Sequence, residues 1–288
     1  MNLKGIPVVS VGAGSQPVDE DGQTLSYIDM PKDMWKYEPP AIPSPDEVSD
    51  LAAARQAMEW LRGALARVAT TTEPLLANLT QLDAANRDLV NQVLGEGEVS
   101  VTYNGVVRAR TQESVLAGVW RTLYLNQQDQ VSFDLLEVAD IAHLVRMPDG
   151  RQRQIDTRAE GAPAEVMNAL PILAELASRC EVFEQNGTSH TINLTLLPLS
   201  EADVVFLDER LGRGPVEILS RAYGKCQVIS TQVANVWWIR YFNSMSTLIL
   251  NTLEVTDVPL VACAAAEDLR DSAERLNEIL QPYWEDSY

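Results

Sequence analysis

The chain has 288 residues with 22 basic and 41 acidic side chains, which gives a formal net charge of −19. Its composition is that of an ordinary globular protein, and its length allows one large domain or two modest ones. So negative a charge disfavours nucleic acid and anionic membranes as partners, and no apolar run is long enough for insertion into a bilayer.

Residues 1–49 differ in composition from the rest of the chain. They are rich in glycine, proline and aspartate, with five prolines between Pro31 and Pro45. Such a composition predicts an extended N-terminal arm rather than a packed element. The arm shows no basic region followed by an apolar core, so we expect a protein that stays in the cytoplasm.

The next segment, residues 50–145, has the pattern of helices followed by strands. Apolar residues recur at spacings of three and four from the start of this segment, which predicts an amphipathic helix, and a second, short helix is predicted to end at Gly95. Four β-type segments follow, with Asn104-Gly105 as one hairpin turn. The stripe of the first helix consists of Leu51, Ala54, Met58, Leu61, Leu65 and Val68.

Residues 146–163 are polar and lack periodicity, which predicts a linker. The order of elements then restarts in residues 164–288, with a helix, a strand, a short capped helix and four β segments. The chain closes on a predicted helix whose apolar stripe consists of Leu269, Ala273, Leu276 and Leu280.

The two segments are related by an internal repeat. Shifting the chain by 117 residues aligns 94–141 with 211–258 without a gap, and 13 of the 48 aligned positions are identical. Ordinary residue frequencies would give about three identities. We therefore predict an α+β protein made of two tandem repeats of one α+β domain, each with helices packed on a mainly antiparallel sheet.

Each repeat ends a strand with the string Leu-Glu-Val-x-Asp, at 136–140 and 253–257. Paired carboxylates such as Glu254 and Asp257 can share acid and base roles, but no nucleophile or histidine accompanies them in the sequence. Acids at the end of a strand also bind backbone amides, and the sequence favours that interpretation. With two histidines and three widely spaced cysteines, we expect no catalytic set, no metal site and no cofactor site.

Residues of the second repeat are the candidates for binding a partner. Trp238 stands on a strand face where the first repeat has Arg121, so this face differs between the copies. Cys226 follows Lys225, which can favour a thiolate, although an inert thiol is the simpler interpretation. Asn243 belongs to a string that both repeats share in part. The predicted partner-binding residues are Cys226, Trp238, Asn243, Glu254 and Asp257.

Several unusual strings occur in order within residues 211–259: Gly-Arg-Gly-Pro, Tyr-Gly-x-Cys, Asn-Val-Trp, Tyr-Phe-Asn-Ser and Leu-Glu-Val-x-Asp-Val-Pro. With them, this stretch resembles the C-terminal region of the HupH/HyaF/HoxQ family of NiFe-hydrogenase maturation proteins. The N-terminal strings IPVVSVGAGSQP and DMPKDM also resemble this family, so the likeness covers most of the chain. Because the first repeat lacks Tyr-Gly-x-Cys, the second repeat is the expected seat of a single binding surface.

The resemblance implies a cytoplasmic accessory chaperone rather than an enzyme. Its implied partner is the iron–sulfur small-subunit precursor of a NiFe-hydrogenase, bound before twin-arginine export, and other hydrogenase accessory proteins are implied as further partners. The charge of −19 suits a basic signal peptide, although an acidic coat that keeps the protein soluble is the simpler explanation of charge alone. The alternative function is a scaffold that carries an iron–sulfur or metal cargo through Cys226.

Overall fold

The structure, a computed structural model, describes residues 50–68, 73–147, 150–152, 154–221 and 224–284. The predicted arm, residues 1–49, lies outside the described residues. The helices are α1 (Ala52–Val68), α2 (Ala84–Leu94), α3 (Ala169–Asn186), α4 (Glu201–Leu211) and α5 (Ala266–Trp284). The strands are β1 (Leu75–Asn78), β2 (Val99–Asn104), β3 (Arg108–Glu113), β4 (Val119–Leu125), β5 (Val131–Val138), β6 (His190–Asn193), β7 (Val216–Ser220), β8 (Lys225–Ser230), β9 (Val236–Phe242) and β10 (Leu248–Val255).

These strands form one antiparallel sheet in the order β1-β5-β4-β3-β2-β7-β8-β9-β10-β6. Each repeat supplies five neighbouring strands, and the repeats meet where β2 pairs with β7, with Val101 opposite Ile218. Antiparallel pairing of two equivalent strands relates the repeats by a pseudo-twofold rotation about an axis perpendicular to the sheet. The predicted tandem α+β fold is confirmed, with both repeats sharing one sheet.

The helices bury the faces that their apolar spacing predicts. In α1, Ala54, Met58 and Leu61 are buried and pack with Leu136 and Val138 of β5. Burying one such aliphatic side chain contributes about 1.5–3 kcal/mol to folding. The sheet face that carries α1–α4 is called the helix face below.

A polar residue of the short helix caps the long helix in each repeat. The Asn86 side chain of α2 accepts a hydrogen bond from the amide of Ala54 at 2.8 Å. At the equivalent position of α4, Asp203 accepts from the amides of Asn168 and Ala169 at 2.8 and 2.9 Å. These carboxyl and amide oxygens satisfy amides that a helix N-terminus otherwise leaves unpaired, and so fix the two helices against each other.

Helix α5 follows the second repeat in sequence but packs on the first. Its Leu276 and Leu280 join the cluster that contains α1. Its Leu269 lies against Gly118, where an added Cβ would come within 2.1 Å of Leu269 Cδ2, so this contact requires glycine. In the reciprocal direction, residues 150–152 and 154–162 run along the second repeat, where Gln152 bridges to Val233. Residues that come after the strands of each repeat thus pack on the other repeat.

The opposite face of the sheet, called the loop face below, has a core of its own. Trp120 and Trp237 are fully buried there, and their indole nitrogens donate to the carbonyls of Ala139 and Asp257 at 3.0 Å. Short 3-10 turns, His143–Arg146 and Leu260–Ala262, cover this core. The repeated Trp therefore serves packing in both copies.

Candidate binding surface on the second repeat

The two aspartates of the repeated string meet on the loop face. The guanidinium of Arg146 binds both oxygens of Asp140 at 3.0 and 2.8 Å, and its Nε lies 3.0 Å from Asp257. All three side chains are exposed by about a third or more, so water screens the pairs and their net contribution to stability is small. Asp257 therefore joins the two repeats and is accessible at the surface.

The two glutamates of the string have different surroundings. Glu137 is fully buried and accepts a hydrogen bond from the amide of His143 at 2.6 Å, which confirms the interpretation of a strand-end acid that binds backbone. Glu254 is half-buried, and the residue at the position of His143 is Leu260. Burial raises the pKa of the Glu254 carboxyl.

Cys226 lies inside the loop-face core at 6% exposure. The pKa of its thiol is raised to about 11, mainly by burial and also by the nearby Glu254 carboxylate, against a hydrogen bond to Tyr241 that lowers it. The ammonium of Lys225 lies over the Phe242 ring at 5.6 Å. The buried thiol fits the favoured interpretation of an inert cysteine rather than the thiolate that a neighbouring lysine can favour.

Trp238 and Asn243 are both held by hydrogen bonds within the second repeat. Trp238 is 3% exposed in the core under α3 and α4, and its indole nitrogen donates to Asn251 Oδ1 at 2.6 Å. Asn243 Oδ1 accepts from the amides of Met245 and Thr247, which fixes the turn between β9 and β10. The five predicted residues thus lie in separate places, with Trp238 and Asn243 beside one edge of the sheet.

That edge is apolar and partly unpaired. Strand β6 pairs with β10 only from Thr252 to Val255, so among the described residues no strand pairs with the outer side of Leu248–Asn251. Large aliphatic side chains are exposed along this half-strand and on the adjoining turns, up to 80% for Met245 and 79% for Leu196. We call this surface the apolar edge, and it consists of Leu196, Leu197, Met245, Leu248 and Ile249.

The first repeat shows that the fold does not require the apolar edge. The positions equivalent to Leu197, Met245 and Ile249 carry Thr80, Gln128 and Ser132, whereas those equivalent to Leu196 and Leu248 carry Leu79 and the exposed Val131. The same strands and turns therefore form with polar side chains at three of the five positions. Comparing the repeats position by position is thus the sequence signal that reveals this surface, and the five predicted residues did not include it.

Comparison with known proteins places the chain in a family. The model of the HupH hydrogenase expression protein, C-terminal conserved region, matches residues 51–152 and again 166–283. The chain belongs to the HupH family. It is 44% identical to the hydrogenase expression/formation protein HoxQ of Cupriavidus necator over 98% of both chains. It is 31% identical to the hydrogenase-1 operon protein HyaF of Escherichia coli K12 over 94% of both.

A solved HupH structure, the hydrogenase expression protein from Thiobacillus denitrificans, is 32% identical to this chain. The match covers 40% of this chain and 93% of the solved one, with a TM-score of 0.36.

Within the described ranges of this HupH-family chain, no three His, Cys, Asp or Glu side chains come close enough to hold a metal ion. None of the helices in the described part combines the length and apolar character that crossing a bilayer requires.

Proposed function

We propose that this protein is an accessory chaperone of NiFe-hydrogenase maturation that binds the iron–sulfur small-subunit precursor in the cytoplasm before twin-arginine export. Family membership supports the maturation role, because relatives of matching length are named as hydrogenase expression/formation proteins. The apolar edge is the observation that carries the binding role, because the first repeat folds in the same way with polar residues at three of its five positions. Other accessory proteins of the same process are further partners within this proposal.

The apolar edge has the chemistry to hold an extended apolar segment. Exposed Leu248 and Ile249 offer aliphatic contact, and no strand in the described part of the chain pairs with the outer side of this half-strand, where the Asn251 amide donates to Thr195 Oγ1. An extended peptide can add to such an edge through backbone hydrogen bonds while its side chains contact the apolar ones. A signal peptide carries such an apolar segment behind a basic one.

The net charge of −19 supports the same partner from a distance. A negative surface attracts the basic part of a twin-arginine segment and speeds encounter, and salt weakens this attraction. We therefore expect apolar contacts to supply most of the affinity of the complex and charge to raise its association rate. No observation favours the cargo scaffold, because the Cys226 thiol is buried and its pKa is raised to about 11.

A variant that carries the first repeat's own residues tests the apolar edge. We expect full-length protein with Leu197→Thr, Met245→Gln and Ile249→Ser to fold normally, since Thr80, Gln128 and Ser132 occupy the equivalent places. Removing three exposed aliphatic contacts should weaken capture of the small-subunit precursor by about tenfold or more. The measurement is the dissociation constant of the precursor, prepared anaerobically, for the wild type and the triple variant.

A matched control keeps this result interpretable. Leu260 is 87% exposed on the loop face, and Leu260→His introduces the residue that the first repeat has there. It should bind the precursor as the wild type does. Equal affinity of the triple variant and the wild type would show that the apolar edge does not bind the precursor.

A further inference from the structure

The helix face of the first repeat contains a pocket with a volume of about 770 Å³. It lies between α2 and the strands β2 to β5, and its charged lining residues are three arginines, Arg87, Arg110 and Arg121, and two acids, Glu96 and Asp134. A cavity of this volume is of the size that small-molecule and peptide side-chain sites have. Three guanidinium groups around one cavity are unexpected in a chain with a net charge of −19.

Two of the three arginines have unused hydrogen-bonding capacity. Arg121 is neutralised by Asp134, with a closest distance of 2.6 Å. Arg87 donates from one terminal nitrogen to the carbonyl of Leu82 at 2.6 Å, but its Nε is buried and has no hydrogen-bond partner. The Arg110 side chain is exposed, and within the described part of the chain it forms no hydrogen bond or ion pair. Because the Arg87 Nε has almost no solvent-accessible surface, the donor group that a ligand in the cavity meets is chiefly the exposed guanidinium of Arg110.

The second repeat shows that the arginines are not needed for folding. The residues at the positions of Arg87, Arg110 and Arg121 are Val204, Gln227 and Trp238. There, Trp238 fills the space as a buried core residue, and Asn251 replaces Asp134 as its partner. The same fold therefore forms with a filled helix face in one copy and an open, positively charged pocket in the other.

We propose that this pocket binds a carboxylate-bearing ligand. A guanidinium offers parallel N–H donors that match the two oxygens of a carboxylate, and the exposed Arg110 supplies such a group beside the partly engaged guanidinium of Arg87. The side chains of Ser100 and Thr102 line the same cavity and add hydroxyl donors. The strongly negative whole-chain charge disfavours polyanions such as nucleotides, so the ligand carries few negative charges.

Apolar residues that line the pocket indicate the chemistry of the rest of the ligand. Leu123 and the exposed Val131 line the pocket beside the polar groups, so an aliphatic portion of the ligand finds contact there. A small aliphatic carboxylic acid and an acidic side chain of a polypeptide share this chemistry. This site lies on the first repeat and does not depend on the proposed small-subunit function.

Titration calorimetry with the full-length protein tests the pocket. The probes are 4-methylpentanoate, a branched aliphatic monocarboxylate, and a blocked pentapeptide with one glutamate between leucines, each in a constant background of sodium chloride. We expect saturable one-to-one binding of at least one probe, and Arg110→Gln should raise its dissociation constant about tenfold, as expected for loss of a charge-assisted hydrogen bond. Glutamine is the second repeat's residue at this position, so this variant should fold normally.

Arg179→Gln makes the same change on the exposed side of α3 and should leave the dissociation constant within twofold. Binding of the peptide would identify an acidic polypeptide segment as the source of the carboxylate, whereas binding of 4-methylpentanoate alone would identify a small molecule. The proposal is overturned if neither probe binds saturably in the millimolar range, or if Arg110→Gln binds as tightly as the wild type.

Discussion

Glu113 makes the stability of the first repeat depend on pH near neutrality. Its carboxyl is 8% exposed at the end of β3, where α5 docks, and Oε1 accepts a hydrogen bond from the Gly118 amide at 3.1 Å. The pKa of this carboxyl is raised from 4.5 to about 7, mainly by burial and also by the carboxylates of Glu98 and Asp268, with the Gly118 amide acting in the opposite direction. The folded protein therefore keeps a proton that the unfolded chain releases above pH 4.5.

The direction and size of the effect follow from that difference. Between pH 4.5 and 7, the folded state binds more protons than the unfolded state, so the free energy of unfolding falls as the pH rises. A difference of about 2.5 pKa units at 1.36 kcal/mol per unit amounts to about 3 kcal/mol. Glu113→Gln keeps the acceptor for Gly118 and removes the charge, so it should gain about 3 kcal/mol relative to wild type between pH 4.5 and pH 8.

Urea unfolding at a series of pH values measures this change. The control Glu209→Gln makes the same substitution at an exposed position of α4 and should shift stability by only a few tenths of a kcal/mol. A difference between Glu113→Gln and wild type that stays constant from pH 4.5 to pH 8 would refute the reasoning.

Three further experiments test the docking of α5, the capping of α3 and the burial of Cys226. Leu276→Ala, at a fully buried position of α5, should lower the free energy of unfolding by about 2–5 kcal/mol in urea, and hydrogen exchange should quicken in α1 of the other repeat. Asp203→Ala should cost about 2–4 kcal/mol, and Asp203→Asn less, because hydrogen bonds from three amides at the start of α3 converge on one carboxylate oxygen. Native Cys226 should react with a thiol reagent at neutral pH only as fast as the protein unfolds, and fast reaction in the folded state would contradict its burial.

The sequence predicts the elements better than their partners. Apolar spacing located α1 and α5, and the offset of 117 residues located the repeats. The spacing of apolar residues shows that one face of α5 is buried, but it does not show which element packs against that face. The docking of α5 on the first repeat could therefore not be foreseen. Likewise, nothing in the alternation of β2 specifies β7 as its neighbour.

The candidate site shows the same limit. Trp238 attracted attention because Arg121 stands at the equivalent position, but both residues are satisfied locally, Arg121 by Asp134 and Trp238 by Asn251. Each substitution is matched by a change in the partner on the neighbouring strand, which a single position cannot reveal. The apolar edge, in contrast, was readable from the repeat alignment, because Ile249 faces water where its counterpart is Ser132.

The central claim is that this protein holds the small-subunit precursor through its twin-arginine segment. Its most direct test is an anaerobic pull-down of the precursor with and without that segment, across a salt series. We expect the protein to retain the full precursor, to retain less of it as the salt concentration rises, and to lose it when the segment is removed. Equal retention of both forms would place recognition on the cluster domain, and retention of neither form would contradict the small-subunit function itself.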